Sequence, residues 1–316
     1  MNVQRNFLWM AFAGAVATPA LGQVVMPATA PVSSATERAV SIPNVSGIWS
    51  HPLLPGFEPP RSGPGPVTNR SRRPADPQKG VSNWGELVGD HTNGILQPWA
   101  AEVVKKHGEI SRTGAIYPTP SNNCWPGGVP FVFWDFQVHI SQQPHQVTMI
   151  YRHGNEVRQV RMNERHPAEV KPSWYGDSVG HYEGDTLVID TVGIKIGPHG
   201  MLDMYGTPHT DKLHVVERYR ILDYDDAKDA IERGLKENWR VPGGTDFNPN
   251  YRGKVLQLHF TIEDEGVFTT PWTATITYQP SSLEWSELIC SENRVEYYHG
   301  EHSSASNVPT AAKPDF

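Results

Sequence analysis

From Phe131 onward the chain is a succession of strand-length segments with little between them but turns: Phe131 to Ile140, Gln146 to Arg152, Val157 to Met162, Thr186 to Val192, His214 to Leu222, Val255 to Glu263, Phe268 to Tyr278 and Leu283 to Cys290. Most are rich in β-branched and aromatic residues, and several alternate polar with apolar side chains at the period of a half-buried strand. Turn signals such as His153-Gly154-Asn155 and Glu183-Gly184-Asp185 separate them. Strands that follow one another without crossover helices pair antiparallel, and closure removes the exposed edges of a long sheet. The expected fold is therefore mainly β, an antiparallel barrel or strongly curved sheet. Two helices are expected beside it. Thr92 to His107 carries an apolar stripe through Ile95, Leu96, Trp99, Val103 and Val104, with Gly108 as its stop. Ala227 to Trp239 has helical spacing inside an insertion spanning 226–254, which at a barrel mouth could act as a lid.

The remaining organisation is read from composition. A basic start, an apolar run from Phe7 to Ala20 and small residues before Gln23 read as a signal peptide over residues 1–22, too short for the ~20 apolar residues of a spanning helix. The mature chain is expected to be exported, into a bacterial periplasm or beyond. Residues 23–43 read as a flexible leader, 44–130 as an extended arm with one helix packed on the barrel, 131–300 as the barrel domain and 301–316 as a disordered tail. The two cysteines, Cys124 and Cys290, are expected to form a disulfide in an oxidising compartment. A net charge of -7 with no long basic run speaks against nucleic acid. No Walker loop or dinucleotide fingerprint is present, so no nucleotide cofactor is expected.

The chemistry concentrates between Ser173 and Leu222. In the segment His214 to Leu222, Val215, Glu217, Tyr219 and Ile221 share one face. If that face is apolar and inward, Glu217 and Tyr219 go in with it, and a carboxylate and a phenol there must be hydrogen-bonded or paired. One reading is general acid/base catalysis: Glu217 or His209 as base, Asp203 orienting His209, Tyr219 or His166 as acid, and Arg218 or Arg161 anchoring an anionic group. The competing reading gives Glu217 a structural ion pair with Arg218, Arg220 or Arg161. Metal ligation by His199, Asp203 and His209, with His214 as an additional candidate ligand, is a further alternative, although their spacing matches no metal signature. Trp174, Tyr205 and Trp272 are candidates to stack on a planar or sugar ligand.

The motifs SVGHYEGDTLVIDT, GTPHTDKLHVVERYR, FTTPW and CSEN, in that order, resemble a family of secreted bacterial proteins with the pattern S-x-G-x-W-E-G-D-T-L-V-V-D-T followed by P-H-S-x-x-L-H-V-x-E-R-Y. The resemblance covers roughly residues 120 to 295 and implies one β-rich exported domain without assigning a reaction. Tyr182 stands where that family has Trp, and the insertion 226–254 stands where it has a tight turn. Gly47-Ile48-Trp49 ahead of an antiparallel barrel also resembles the lipocalin or calycin plan. The resulting expectation is a periplasmic lyase, dehydratase or isomerase acting on an aromatic or carbohydrate-derived small molecule. A lipocalin-like carrier without catalysis and a metal-dependent hydrolase or lyase are the alternatives.

Overall fold

The computed structural model describes residues 42–52, 55–70, 87–114, 117–237, 248, 250–281 and 285. By its internal contacts the chain divides into 1–39, outside the described residues, and 40–316, which contains the barrel. Nine strands among the described residues close into a barrel in sequence order: β1 Gly47–Ser50, β2 Gln137–Gln142, β3 Gln146–Tyr151, β4 Glu156–Met162, β5 Asp177–Glu183, β6 Thr186–Val192, β7 His214–Leu222, β8 Val255–Glu263 and β9 Trp272–Pro280. The short β1 pairs with both β2 and β9 and so completes the ring. The fold is thus the mainly β closed barrel that the alternating segments imply.

One joint differs from the rest. β4 and β5 run parallel and share only two register pairs, Arg161 with Val179 and Met162 with Gly180. Their connection, residues 163–176, is mostly exposed; Asn163 donates to the Gly180 carbonyl at one end, and Ser173 to the Gly193 carbonyl at the other. It ends in a tight turn at Gly176, where φ is +67° and a Cβ would lie 2.5 Å from the Val192 carbonyl oxygen, so only glycine fits.

The barrel axis is filled by side chains. Met149, Tyr151, Ile189, Tyr219, Leu258, Phe260, Trp272, Ile276 and Tyr278 are all buried in one hydrophobic cluster. At about 25 cal/mol per Å² of apolar surface, this interior is the main stabilising element of the fold. A carrier reading needs a cavity where these residues pack.

Several segments depart from expectation. Phe131–Trp134 is a buried 3-10 turn, and the strand starts only at Gln137. The early helix, α1, spans Pro98–Arg112. It starts at proline, whose fixed φ suits the first helical turn, and the preceding Thr92 to Gln97 is turn and bridge. It also runs through Gly108, which is buried against Val88, so tertiary contact overrides the stop signal. The inserted helix, α2, spans Tyr224–Glu237 and packs Ala227 and Ile231 against Val255. It joins β7 to β8 at the end of those strands opposite His214 and Glu263, so it is no lid for the cleft described below. Most of Leu283 to Cys290 lies outside the described residues, and so does the Cys290 partner expected for Cys124. Among the described residues, no helix is long and apolar enough to cross a membrane.

Candidate active site

Strand alternation sorts the polar residues of β4 to β7 into two groups, one inside and one outside. Inside, Glu217 and Tyr219 do point into the barrel, and both are buried. The partner of Glu217 is Arg158 of β4, and neither Arg218, Arg220 nor Arg161. Its guanidinium donates from Nη1 to Glu217 Oε2 at 2.9 Å and from Nη2 to Oε1 at 2.6 Å. Both side chains are fully buried. The same guanidinium donates to Ser178 Oγ and to Thr191 Oγ1, the latter at 2.7 Å. Tyr219 donates its hydroxyl to Glu217 Oε2 at 2.9 Å. Burial, then the Glu217 charge, holds that phenol well above its ordinary value. One arginine therefore ties β4, β5, β6 and β7 together from inside, with its carboxylate partner occupied from two sides.

Asp203 and His209 belong elsewhere. The Asp203 carboxylate accepts from the Tyr205 and Thr207 amides and from the Thr207 hydroxyl at 2.7 Å, so it closes its own loop and does not orient His209. Burial raises its pKa to about 6. His209 is part-buried, with Nδ1 3.2 Å from the Thr210 carbonyl, and burial lowers its pKa. His199 is exposed, in the left-handed region at φ 63°. The set His199, Asp203 and His209 is not brought together, and no group of three or more His, Cys, Asp or Glu among the described residues is arranged to hold a metal ion. Tyr205 and Trp272 are core residues, each 1% exposed. Trp174 is half-exposed, with Lys195 over its face at 4.9 Å. Arg218 lies on the outer face, paired with Glu183 at 2.6 Å.

Two of the predicted residues, His166 and Arg161, share a partner in Asp177. On the outer face Arg161 of β4 grips Asp177 of β5 through Nη1 at 2.7 Å and Nη2 at 3.1 Å. His166, carried by the connection 163–176, places Nδ1 2.6 Å from Asp177 Oδ1 and Nε2 3.0 Å from Asp190 Oδ1. The same Asp190 oxygen is 3.1 Å from Nε2 of His214 on β7, whose Nδ1 lies 3.2 Å from Glu263 of β8. The result is an unbroken relay across five strands: Arg161, Asp177, His166, Asp190, His214, Glu263. Hydrogen bonding from Arg161 lowers the Asp177 pKa, and hydrogen bonding from His214 lowers that of Asp190. Reciprocally, Asp190 raises the His214 pKa. His214, bonded to carboxylates through both nitrogens, donates to both only as the imidazolium, the form its raised pKa favours.

The far end of the relay is open. His214 and Glu263 line a cleft of about 430 Å³ with Lys212, Glu265, Phe268, Thr269 and Thr270. His214 is held by Asp190 on Nε2 and by Glu263 of the cleft wall on Nδ1, so a substrate that displaces the Glu263 contact meets an imidazole placed for proton transfer. Asp177 and Asp190 were absent from the sequence candidates, and His214 was there only as an additional metal ligand. The available signal was the alternation itself: once Glu217 faces inward, His214 is three residues away and must face out, as does Asp190 between buried Ile189 and Thr191. Compared with family models, curated proteins and solved structures, the chain finds no match.

Proposed function

We infer that the protein is an exported enzyme that moves protons by general acid/base catalysis on a small polar molecule held in the cleft beside His214. One observation carries this reading: a single oxygen, Asp190 Oδ1, serves both His166 and His214, and His214 lines the cleft. In this scheme His214 exchanges the proton with substrate, Asp190 fixes its tautomer and stabilises the imidazolium, and His166, Asp177 and Arg161 hold Asp190 in place. The cleft lining of carboxylates and threonine hydroxyls suits a polyhydroxylated, carbohydrate-derived substrate better than an aromatic one. A lyase, dehydratase or isomerase reaction needs no nucleotide, in keeping with a sequence that carries no nucleotide motif. Export, and a Cys124 to Cys290 disulfide formed on export, are part of the same proposal, supported by the N-terminal pattern and the likeness to secreted proteins.

The test is solvent-proton exchange. The mature chain is incubated in D2O with a panel of sugar acids, keto sugars and hydroxylated aromatics, and deuterium wash-in at carbon is followed by NMR. Wash-in that falls about 100-fold in Asp190→Asn supports the assignment. Wash-in undiminished by Asp190→Asn removes the relay from catalysis, and saturable binding with no exchange moves the protein to the carrier class.

A further inference from the structure

Most of the cleft lining belongs to one segment, 264–271, between β8 and β9. The chain entering α1 is laid along it as a short antiparallel ladder. Gln97 donates to the Val267 carbonyl at 2.7 Å, Thr269 donates to that of Ile95 at 2.8 Å, and Leu96 faces Phe268. Trp99, in the first turn of α1, adds its indole N–H on the Gly266 carbonyl at 2.8 Å. Asp264 is tied separately to Thr210. We propose that α1 is an acid-released strap on the cleft wall with His107 as its trigger: a proton on the buried imidazole dislodges the helix, and the ladder to 266–269 opens with it. As regulation of the cleft this rests on the reading of the cleft as the working site; the strap itself does not.

His107 lies on the inner side of α1 and is 1% exposed. Its ring is 4.0 Å from that of Tyr117, and a Cβ on Gly206 would strike its Cδ2 at 2.3 Å, so the turn at Gly206 is packed directly on the imidazole. Neither ring nitrogen has a well-formed hydrogen-bond partner. An imidazolium there would stand desolvated with no anion to receive it. The carboxyls on the surrounding segments are engaged elsewhere: Asp90 accepts from Thr92 at 2.7 Å, and Asp203 from Tyr205 and Thr207. On α1 itself Glu102, Lys106, Glu109 and Arg112 are exposed, and Lys105 pairs with Glu102 at 3.4 Å. Burial, opposed by the Leu87 backbone, lowers the His107 pKa to about 4. The released helix takes up that proton near 6.5, so the hold of the strap is whole above 6.5 and is lost as pH falls toward 4. Asp203 acts in the opposite sense, because a raised carboxyl pKa strengthens its loop as pH falls. A helix of 15 residues is marginal in water once its buried face is freed, so a release at His107 reaches Gln97 at the other end.

The experiment is amide hydrogen exchange on the full chain without substrate, each rate divided by the intrinsic exchange rate at that pH. Protection of the α1 amides, and of Gln97 and Thr269 in the ladder, should fall by about 100-fold between pH 6.5 and 4. His107→Phe should abolish most of that fall, and His107→Gln carries the same test if a phenyl ring does not fit beside Gly206. His51, buried with a pKa also lowered to about 4, weakens the barrel in the same direction, so the difference between wild type and variant isolates the strap. Protection that stays level in wild type, falls equally in both His107 variants, or falls in α1 while Gln97 and Thr269 keep theirs overturns the proposal. No substrate is present, so failure of the relay as a catalyst and failure of the strap are read separately.

Discussion

The two faces of β6 and β7 present the same chemistry under opposite conditions. Inside, Glu217 meets Arg158 with both side chains fully buried; outside, one residue along from Ile189, Asp190 meets two histidines with its own side chain 37% exposed. Burial turns the first pair into a bolt, because neither charge can lose its partner without standing desolvated in the core. Partial exposure leaves the second pair free to gain and lose protons within the range where histidine titrates. Similar groups on neighbouring positions therefore do different work, and accessibility makes the difference more than residue type does.

The sharpest way to break this comparison is inside. Arg158→Leu should cost about 3–5 kcal/mol in chemical denaturation, as should Glu217→Leu, whereas the double variant should lose less than the sum of the two. Equal and additive losses would show that the bolt is only packing. Next comes Asp203→Ala, which strips three hydrogen bonds from a buried loop and should cost about 1–3 kcal/mol with little change in any turnover.

Outside, the effects on stability shrink and those on proton transfer grow. Asp190→Asn should change stability by about 1 kcal/mol or less while producing the exchange defect described above. The same pair has a pH signature. The His214 pKa is raised, so its contribution is whole below 6.5 and fades as pH rises through the folded value; the Asp190 pKa is lowered, so its contribution is whole above 3.8 and fades as pH falls. The stability gap between wild type and His214→Gln should therefore be widest between pH 3.8 and 6.5, about 2 °C in melting temperature, and should narrow on either side. At the bottom of the scale, Lys212→Ala removes an exposed pair with Glu265 and should leave the denaturation midpoint unchanged.

The same contrast explains what was legible in the sequence. That Glu217 and Tyr219 face inward follows from period-two alternation and needs no tertiary knowledge. That Glu217 is met by Arg158 does not, since Arg158 sits in a strand whose neighbour, β5, was invisible: Asp177–Glu183 carries one β-branched residue and a central glycine, a poor strand signal. Gly180 is tolerated there because a Cβ would press on Met162 and Val160 at 2.9 Å, a packing reason hidden from any local pattern. His166 and Arg161 were nominated as functional residues, but without β5 nothing placed them beside Asp190. The loop residues His199, Asp203 and His209 are close in sequence, but their side chains do not gather into a ligand set, because Asp203 is taken up by its own turn.

The relay also owes its existence to parity. A ring in which every neighbour runs antiparallel must contain an even number of strands, and this ring has nine. One joint is thus obliged to be parallel, and a parallel joint requires the chain to travel back along the barrel before it can start the next strand. That return is the connection 163–176, and His166 rides on it to Asp177 and Asp190. With one strand fewer or one more, a short hairpin could replace that return and Asp190 would keep only His214; the odd count delivers the second imidazole.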